Sequence, residues 1–150
     1  MKQKTVIQIW GKAGSGKTTT IKIIRHELEK KYINVQHTYS LPPSPKGEIF
    51  EIFTCNGIEI GISSMGDVLK TSLKNHLNAC FGKCSIIIAA SRVYNNVDGY
   101  LQEAAKINDF RLIKVTNYRI KSSDTVRNEF NQAAAIHIVD LIDQIMLGTI

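Results

Sequence analysis

Gly11, Gly16, Lys17 and Thr18 occupy the fixed places of the spacing G-x-x-x-x-G-K-[ST], with Lys12, Ala13, Gly14 and Ser15 between them. Residue types in that order suit one kind of chemistry. The glycines let the backbone curl until successive N–H groups point inward, forming an anion-binding nest at the positive end of a helix dipole. Lys17 is long enough to reach the β- and γ-phosphates of a triphosphate, the Thr18 hydroxyl suits Mg²⁺ ligation, and Thr19 continues the same turn. Local stability would not choose these residues. A lysine in a first helical turn opposes the dipole, and Thr18, Thr19 and Thr20 are β-branched. The alternative is a glycine-rich turn that binds nothing.

Phosphoryl transfer is catalysed by positioning and charge neutralisation, so the remaining candidates are Mg²⁺ ligands and cations. Asp67 is the leading acid, for Mg²⁺ and for catalysis, because it follows the apolar run Ile58 to Ile62 by a few residues. It is equally suited to cap a helix opening at Val68-Leu69. Ser63 and Ser64 offer hydroxyls to a magnesium-bound water, or are plain turn residues. Arg92, at the end of a core run, is placed to neutralise a transferring phosphate or to be an ordinary exposed arginine. Lys46 lies in a proline-rich stretch of the kind that closes over substrates, or is a solvated lysine. No general base is identifiable.

Those residues need a strand before the loop and a helix after it. Thr5, Val6, Ile7, Ile9 and Trp10 form a β-branched and aromatic run, and Ile21, Ile24 and Leu28 recur at helical spacing up to about Tyr32. Asn34 to Tyr39 reads as a second strand, followed by a stiff loop holding all three prolines, Pro42, Pro43 and Pro45. Ile49 to Cys55, Asn56-Gly57 and Ile58 to Ser63 form a strong hairpin signal. A helix is predicted from Asp67 through Leu73, Leu77 and Cys80, a buried strand over Ser85 to Ala90, a short helix around Val97 to Ile107, and a strand over Arg111 to Thr116. A final helix spans about Ser123 to Leu147, with Val126, Phe130, Ala133, Ala134, His137, Ile138, Leu141, Ile142 and Ile145 as its buried stripe and His137 as a core histidine. Alternating strands and helices imply an α/β layered fold with helices covering a mostly parallel sheet.

At 150 residues the chain fits a single domain over 1–150, and 43% hydrophobic with 21% charged residues is a globular composition. Its apolar stretches are shorter than a membrane span, and Met1-Lys2-Gln3-Lys4 runs into a strand rather than a signal-peptide core, so a cytoplasmic protein without a membrane is expected. Cys55, Cys80 and Cys84 read as reduced, buried thiols. A net charge of +6 suits a polyanionic ligand and permits weak nucleic-acid contact without indicating it.

The Gly11 to Thr18 loop between strand and helix resembles the Walker A loop of the P-loop nucleoside triphosphatase superfamily. The resemblance implies a three-layer fold: a mostly parallel central sheet with one antiparallel hairpin strand, helices on both faces, and the triphosphate at the carboxyl ends of the strands. It also implies Mg²⁺ as cofactor and a base contact near Asn117, Tyr118 and Arg119. The hairpin is similar to that of Ras-type GTPases, but Ser63-Ser64-Met65-Gly66 stands where Asp-x-x-Gly is typical and no Asn-Lys-x-Asp follows the next strand, which favours ATP over GTP. Lys12 matches the signature lysine of deviant Walker loops, without the aspartates that accompany it. In length the chain resembles small nucleotide kinases, with Arg92 in place of their post-strand arginine and no full lid. These readings lead to ATP or another triphosphate with Mg²⁺, and to phosphoryl transfer to a nucleotide or nucleoside. A nucleotide-dependent switch and a binding module without turnover stand as alternatives.

Overall fold

The computed structural model describes residues 1–41 and 47–150. Ten elements follow in chain order: β1 Thr5–Trp10, α1 Lys17–Lys31, β2 Gln36–Ser40, β3 Phe50–Cys55, β4 Ile58–Ser63, α2 Thr71–Lys83, β5 Ile86–Ser91, α3 Asn96–Ile107, β6 Arg111–Val115 and α4 Asp124–Leu147. The strands form one sheet in the order β2-β3-β4-β5-β1-β6. β3 runs antiparallel to β2 and β4, while β4, β5, β1 and β6 are mutually parallel. The predicted α/β architecture, with one antiparallel hairpin strand, is the observed one.

Strand periodicity divides the core in two. Ile7 and Ile9 of β1 and Ile86, Ile88 and Ala90 of β5 face Ile21, Ile24 and Leu28 of α1 and Ala135, Ile138 and Ile142 of α4. Val6, Ile87 and Ala89 face the other way, onto Leu73 and Leu77 of α2 and Val97 and Leu101 of α3. Continuous burial of β1 and β5 follows from helices on both faces. The hairpin turn places Asn56 at φ 53 and Gly57 at φ 77, the positive pair that a two-residue turn needs to match strand twist. β2 is an exposed edge strand, beginning two residues later than expected. No helix among the described residues is long and apolar enough to cross a membrane.

Two expectations are corrected. The buried stripe of α4 is Asn131, Ala134, Ala135, Ile138, Val139, Ile142, Ile145 and Met146. His137 is exposed, with its Nδ1 2.8 Å from the Tyr118 hydroxyl, and Phe130 is exposed beside it. Ala134, Ile138, Ile142 and Ile145 are buried as expected, joined by Asn131, Ala135, Val139 and Met146, while the side of the helix bearing Phe130 and His137 is left exposed. The core histidine is instead His76 of α2, 2% exposed, donating from Nε2 to the Ile62 carbonyl at 2.8 Å. All three cysteines are buried free thiols, and among the described residues no three His, Cys, Asp or Glu side chains assemble as a metal site.

Burial holds His76 below the ordinary histidine pKa, partly offset by its bond to Ile62. A lowered folded-state value means that the unfolded chain takes up the proton first, so stability is lost as pH falls through the unfolded value near 6.5. The urea midpoint of the wild type is expected to drop between pH 7.5 and 5.5, and His76→Gln, which keeps a donor for Ile62, is expected to drop less. Equal losses in the two proteins would contradict a buried neutral imidazole.

Candidate functional site

The loops after β1, β4 and β5 meet at the carboxyl edge of the sheet, between β5 and β1, where successive connections leave in opposite directions. Hydrogen bonds fasten them together. Gly11 N–H donates to Ser91 O at 3.2 Å and Arg92 N–H to Gly66 O at 3.0 Å. Asn95 caps α3 by accepting from Asp98 N–H at 3.0 Å, while its amide donates to Gly66 O at 2.8 Å and Asp67 O at 3.1 Å. Gly66 lies so close to β5 that a Cβ there would sit 2.8 Å from the Ala90 carbonyl. That close backbone approach leaves no room for a side chain at Gly66.

Gly16 caps α1 at φ 80, with no side-chain cap and no acidic residue in the first turn. The orphan N–H groups and positive dipole end of a 15-residue helix are therefore left for an anion from outside. Behind the loop, a Cβ on Gly16 would lie 2.3 Å from Asn131 Oδ1 of α4. Positive φ and close packing both require glycine there. Asn117 also comes up from behind: its amide donates to Ser15 O at 2.9 Å and Thr20 Oγ1 at 2.8 Å. Only 7% of Asn117 is exposed, and its side chain braces the loop. Thr20, buried and bonded to Asn117, has a structural reason of its own.

Lys17 is 7% exposed and folds back over the loop, donating to Gly11 O at 2.9 Å and Lys12 O at 2.8 Å, with Ser15 Oγ at 3.4 Å. Burial pushes its ammonium below the ordinary lysine value; Asp67 draws it back up and Arg92 adds to the depression. Lys12 contributes its carbonyl while its side chain is exposed. Thr18 Oγ1 lies 3.4 Å from Ser64 O.

Asp67 does not cap α2. The helix begins four residues later, at Thr71, after Lys70, because anchoring Gly66 to β5 carries the chain past the sheet edge before it can coil. The Asp67 carboxylate accepts from Arg92 Nε at 2.7 Å, so two candidates proposed independently form an ion pair. That pair raises the Arg92 pKa further. A cavity of about 360 Å³ is lined by Gly14, Lys17, Thr18, Ser64, Asp67 and Glu48 among others. Glu48 was not anticipated. It precedes β3, and because β3 alone runs against the other strands, its start lies where β1 and β4 end. Lys46, expected to overhang this region, lies outside the described residues.

On the α4 side of Gly14–Gly16, a larger cavity of about 980 Å³ is lined by Tyr118, Arg119, Lys121, Arg127 and Asn131 among others. Tyr118 and Arg119 are thus brought beside the loop by the β6-to-α4 connection. The two cavities share Gly14, Ser15 and Gly16 as a common wall. The arrangement presents helix N–H donors, a lysine and hydroxyl and carboxylate oxygens to one space, with an aromatic and cationic recess next to it. Its hard oxygen donors, Thr18 Oγ1 and Asp67, are of the kind that take Mg²⁺ alongside phosphate oxygens.

Neither the curated proteins nor the solved structures include a match to the chain. The KAP family P-loop domain matches residues 1–145. That span covers all six strands and the loop between β1 and α1. The chain belongs to the KAP family of P-loop domains.

Proposed function

We propose that the protein binds a nucleoside triphosphate, ATP in preference to GTP, together with Mg²⁺, and transfers its γ-phosphoryl group. Family membership supports nucleotide binding. The observation that carries the rest is the uncapped start of α1 facing a cavity that also holds Lys17, Thr18 and Asp67. In this reading the β- and γ-phosphates take the first-turn N–H groups of α1, and the Lys17 ammonium exchanges the Gly11 and Lys12 carbonyls for phosphate oxygens. Thr18 and Asp67 hold Mg²⁺, which supplies neutralisation of the charge that builds on the phosphates. Arg92, 2.7 Å from Asp67, adds a cation at the transferring group. The base and ribose occupy the larger recess, where Tyr118 offers a ring face and Arg119 a planar cation.

One observation favours the acceptor being a nucleotide or nucleoside. Tyr94, at φ 53 and 86% exposed, stands edge-on to Trp10 at a ring separation of 5.9 Å, two residues from Arg92. An exposed ring held in a sparsely populated backbone conformation is a ledge on which a second base can stack.

Titration of ATP with Mg²⁺ into wild type and Lys17→Met tests the reading. The variant is expected to lose on the order of 100-fold in affinity, the worth of a buried charge-assisted contact; equal affinities would refute it. Stability is expected to move the opposite way. A depressed lysine pKa is a folded-state cost that is present at neutral pH and fades only as pH rises toward the ordinary lysine range. Without nucleotide, at pH 7.5, Lys17→Met is therefore expected to unfold at a higher temperature than wild type. Excess ATP with Mg²⁺, at about 100 times Kd, should raise the wild type by roughly 5–10 °C and reverse the order. A wild type that is already the more stable without nucleotide would contradict the cost assigned to Lys17.

A further inference from the structure

We infer that Asn131 determines base specificity: its side-chain amide reads the N6 and N7 edge of adenine, accepting at Oδ1 from the N6 amino group and donating from Nδ2 to N7. This rests on the reading of the Gly11 to Thr18 loop as the triphosphate site and of the recess beside it as the place of the base. A buried amide without a use points to it. Asn131 lies on the buried face of α4 and is only 8% exposed, yet its side chain has no hydrogen-bond partner among the described residues. Buried side-chain amides are nearly always bonded, because an unpaired donor or acceptor keeps the full cost of leaving water. Asn117 shows the ordinary solution, giving its amide to Ser15 O and Thr20 Oγ1. The Asn131 amide only lies against Gly16, where a Cβ would be 2.3 Å from Oδ1 and 2.8 Å from Nδ2.

That place suits a ligand reaching out from the loop. Asn131 lines the recess of about 980 Å³ together with Gly14, Ser15, Gly16, Tyr118 and Arg119, so one wall of the recess is the loop that takes the phosphates. α4 and α1 pack into one core cluster. The amide and the first turn of α1 are therefore carried by two helices at a fixed spacing, which is what recognition of a base at a set distance from its phosphates needs.

The chemistry selects one purine. An amide offers one acceptor and one donor side by side. Adenine offers the complementary donor and acceptor at N6 and N7, whereas guanine presents two acceptors, O6 and N7, on the same edge. Oδ1 would then face O6 with no proton between them. Tyr118 and Arg119 offer flat faces that hold any base alike, and the amide adds the edge recognition they lack.

The test uses the full chain as wild type, Asn131→Ala and Asn131→Asp, and measures equilibrium affinity in Mg²⁺ for ATP, GTP, 7-deaza-ATP and inorganic tripolyphosphate. Wild type is expected to favour ATP over GTP and over 7-deaza-ATP, which carries C–H in place of N7. Asn131→Ala is expected to lose about 5- to 150-fold for ATP, the discrimination a bidentate amide–adenine pair provides, with GTP changed by less than about threefold. Asn131→Asp, which sets an acceptor opposite N7, should bind 7-deaza-ATP more tightly than ATP. Tripolyphosphate has no base, so wild type and Asn131→Ala should bind it equally. An unchanged ATP-to-GTP ratio in Asn131→Ala would overturn the assignment. So would a parallel loss of tripolyphosphate and ATP, the signature of a residue that only supports the loop, and so would a wild type that binds GTP as tightly as ATP. If the wild type holds neither ATP nor tripolyphosphate, the reading of the loop itself is what fails.

Discussion

The uncapped amino end of α1 is the constraint around which this molecule is arranged. A helix whose first turn holds a lysine and no acid, begins at a left-handed glycine and has no side-chain cap is locally unfavourable. It persists because tertiary contacts hold it from two directions. β1, a buried strand between β5 and β6, delivers the chain into the loop, and Asn117 and Asn131 support the loop from the β6 and α4 side. Extensive packing of α1 against α4 and the sheet replaces what the helix end lacks. A site built this way is prepared for an anion before one arrives.

The same edge of the sheet gathers its remaining chemistry by stitching loops rather than by lengthening them. The backbone of Gly66 pressed on β5, the Asn95 amide on Gly66 and Asp67, and the Arg92 guanidinium on the Asp67 carboxylate tie the β4 and β5 loops together. Lys17 feels both members of that ion pair, with opposite signs. Charge at the phosphate position is therefore set by three side chains from three loops, and a change at any of them is felt by the others.

Much of this was legible in the sequence, for physical reasons. The loop carries its own conformational signal in its glycines, the hairpin in Asn56-Gly57, and the buried strands in runs such as Ile86-Ile87-Ile88. What could not be read depends on contacts between distant segments. Glu48 reaches the site only because β3 is antiparallel, and no spacing near Glu48 records that. Asp67 looked like a helix cap because Val68 and Leu69 continue an apolar pattern, yet the attachment of Gly66 to β5 delays the helix to Thr71. His137 read as a core residue because it falls within the apolar pattern of α4, yet the face that packs on α1 lies beside it and leaves it exposed. That the buried Asn117 amide bonds Ser15 and Thr20 is likewise a contact between distant segments that its own neighbours in sequence do not record.

The fold and the KAP family match describe a nucleotide-binding P-loop domain, and we propose that its phosphate site is formed chiefly by backbone and a single lysine. The most direct measurement of that claim is residue-resolved amide NMR with hydrogen exchange, following the backbone as ATP and Mg²⁺ are added. The account predicts large shifts and slowed exchange at Gly14, Ser15, Gly16, Lys17, Thr18 and Thr19, because their N–H groups would bond phosphate oxygens. If those amides stay unchanged while others respond, the nucleotide binds elsewhere and the account is contradicted.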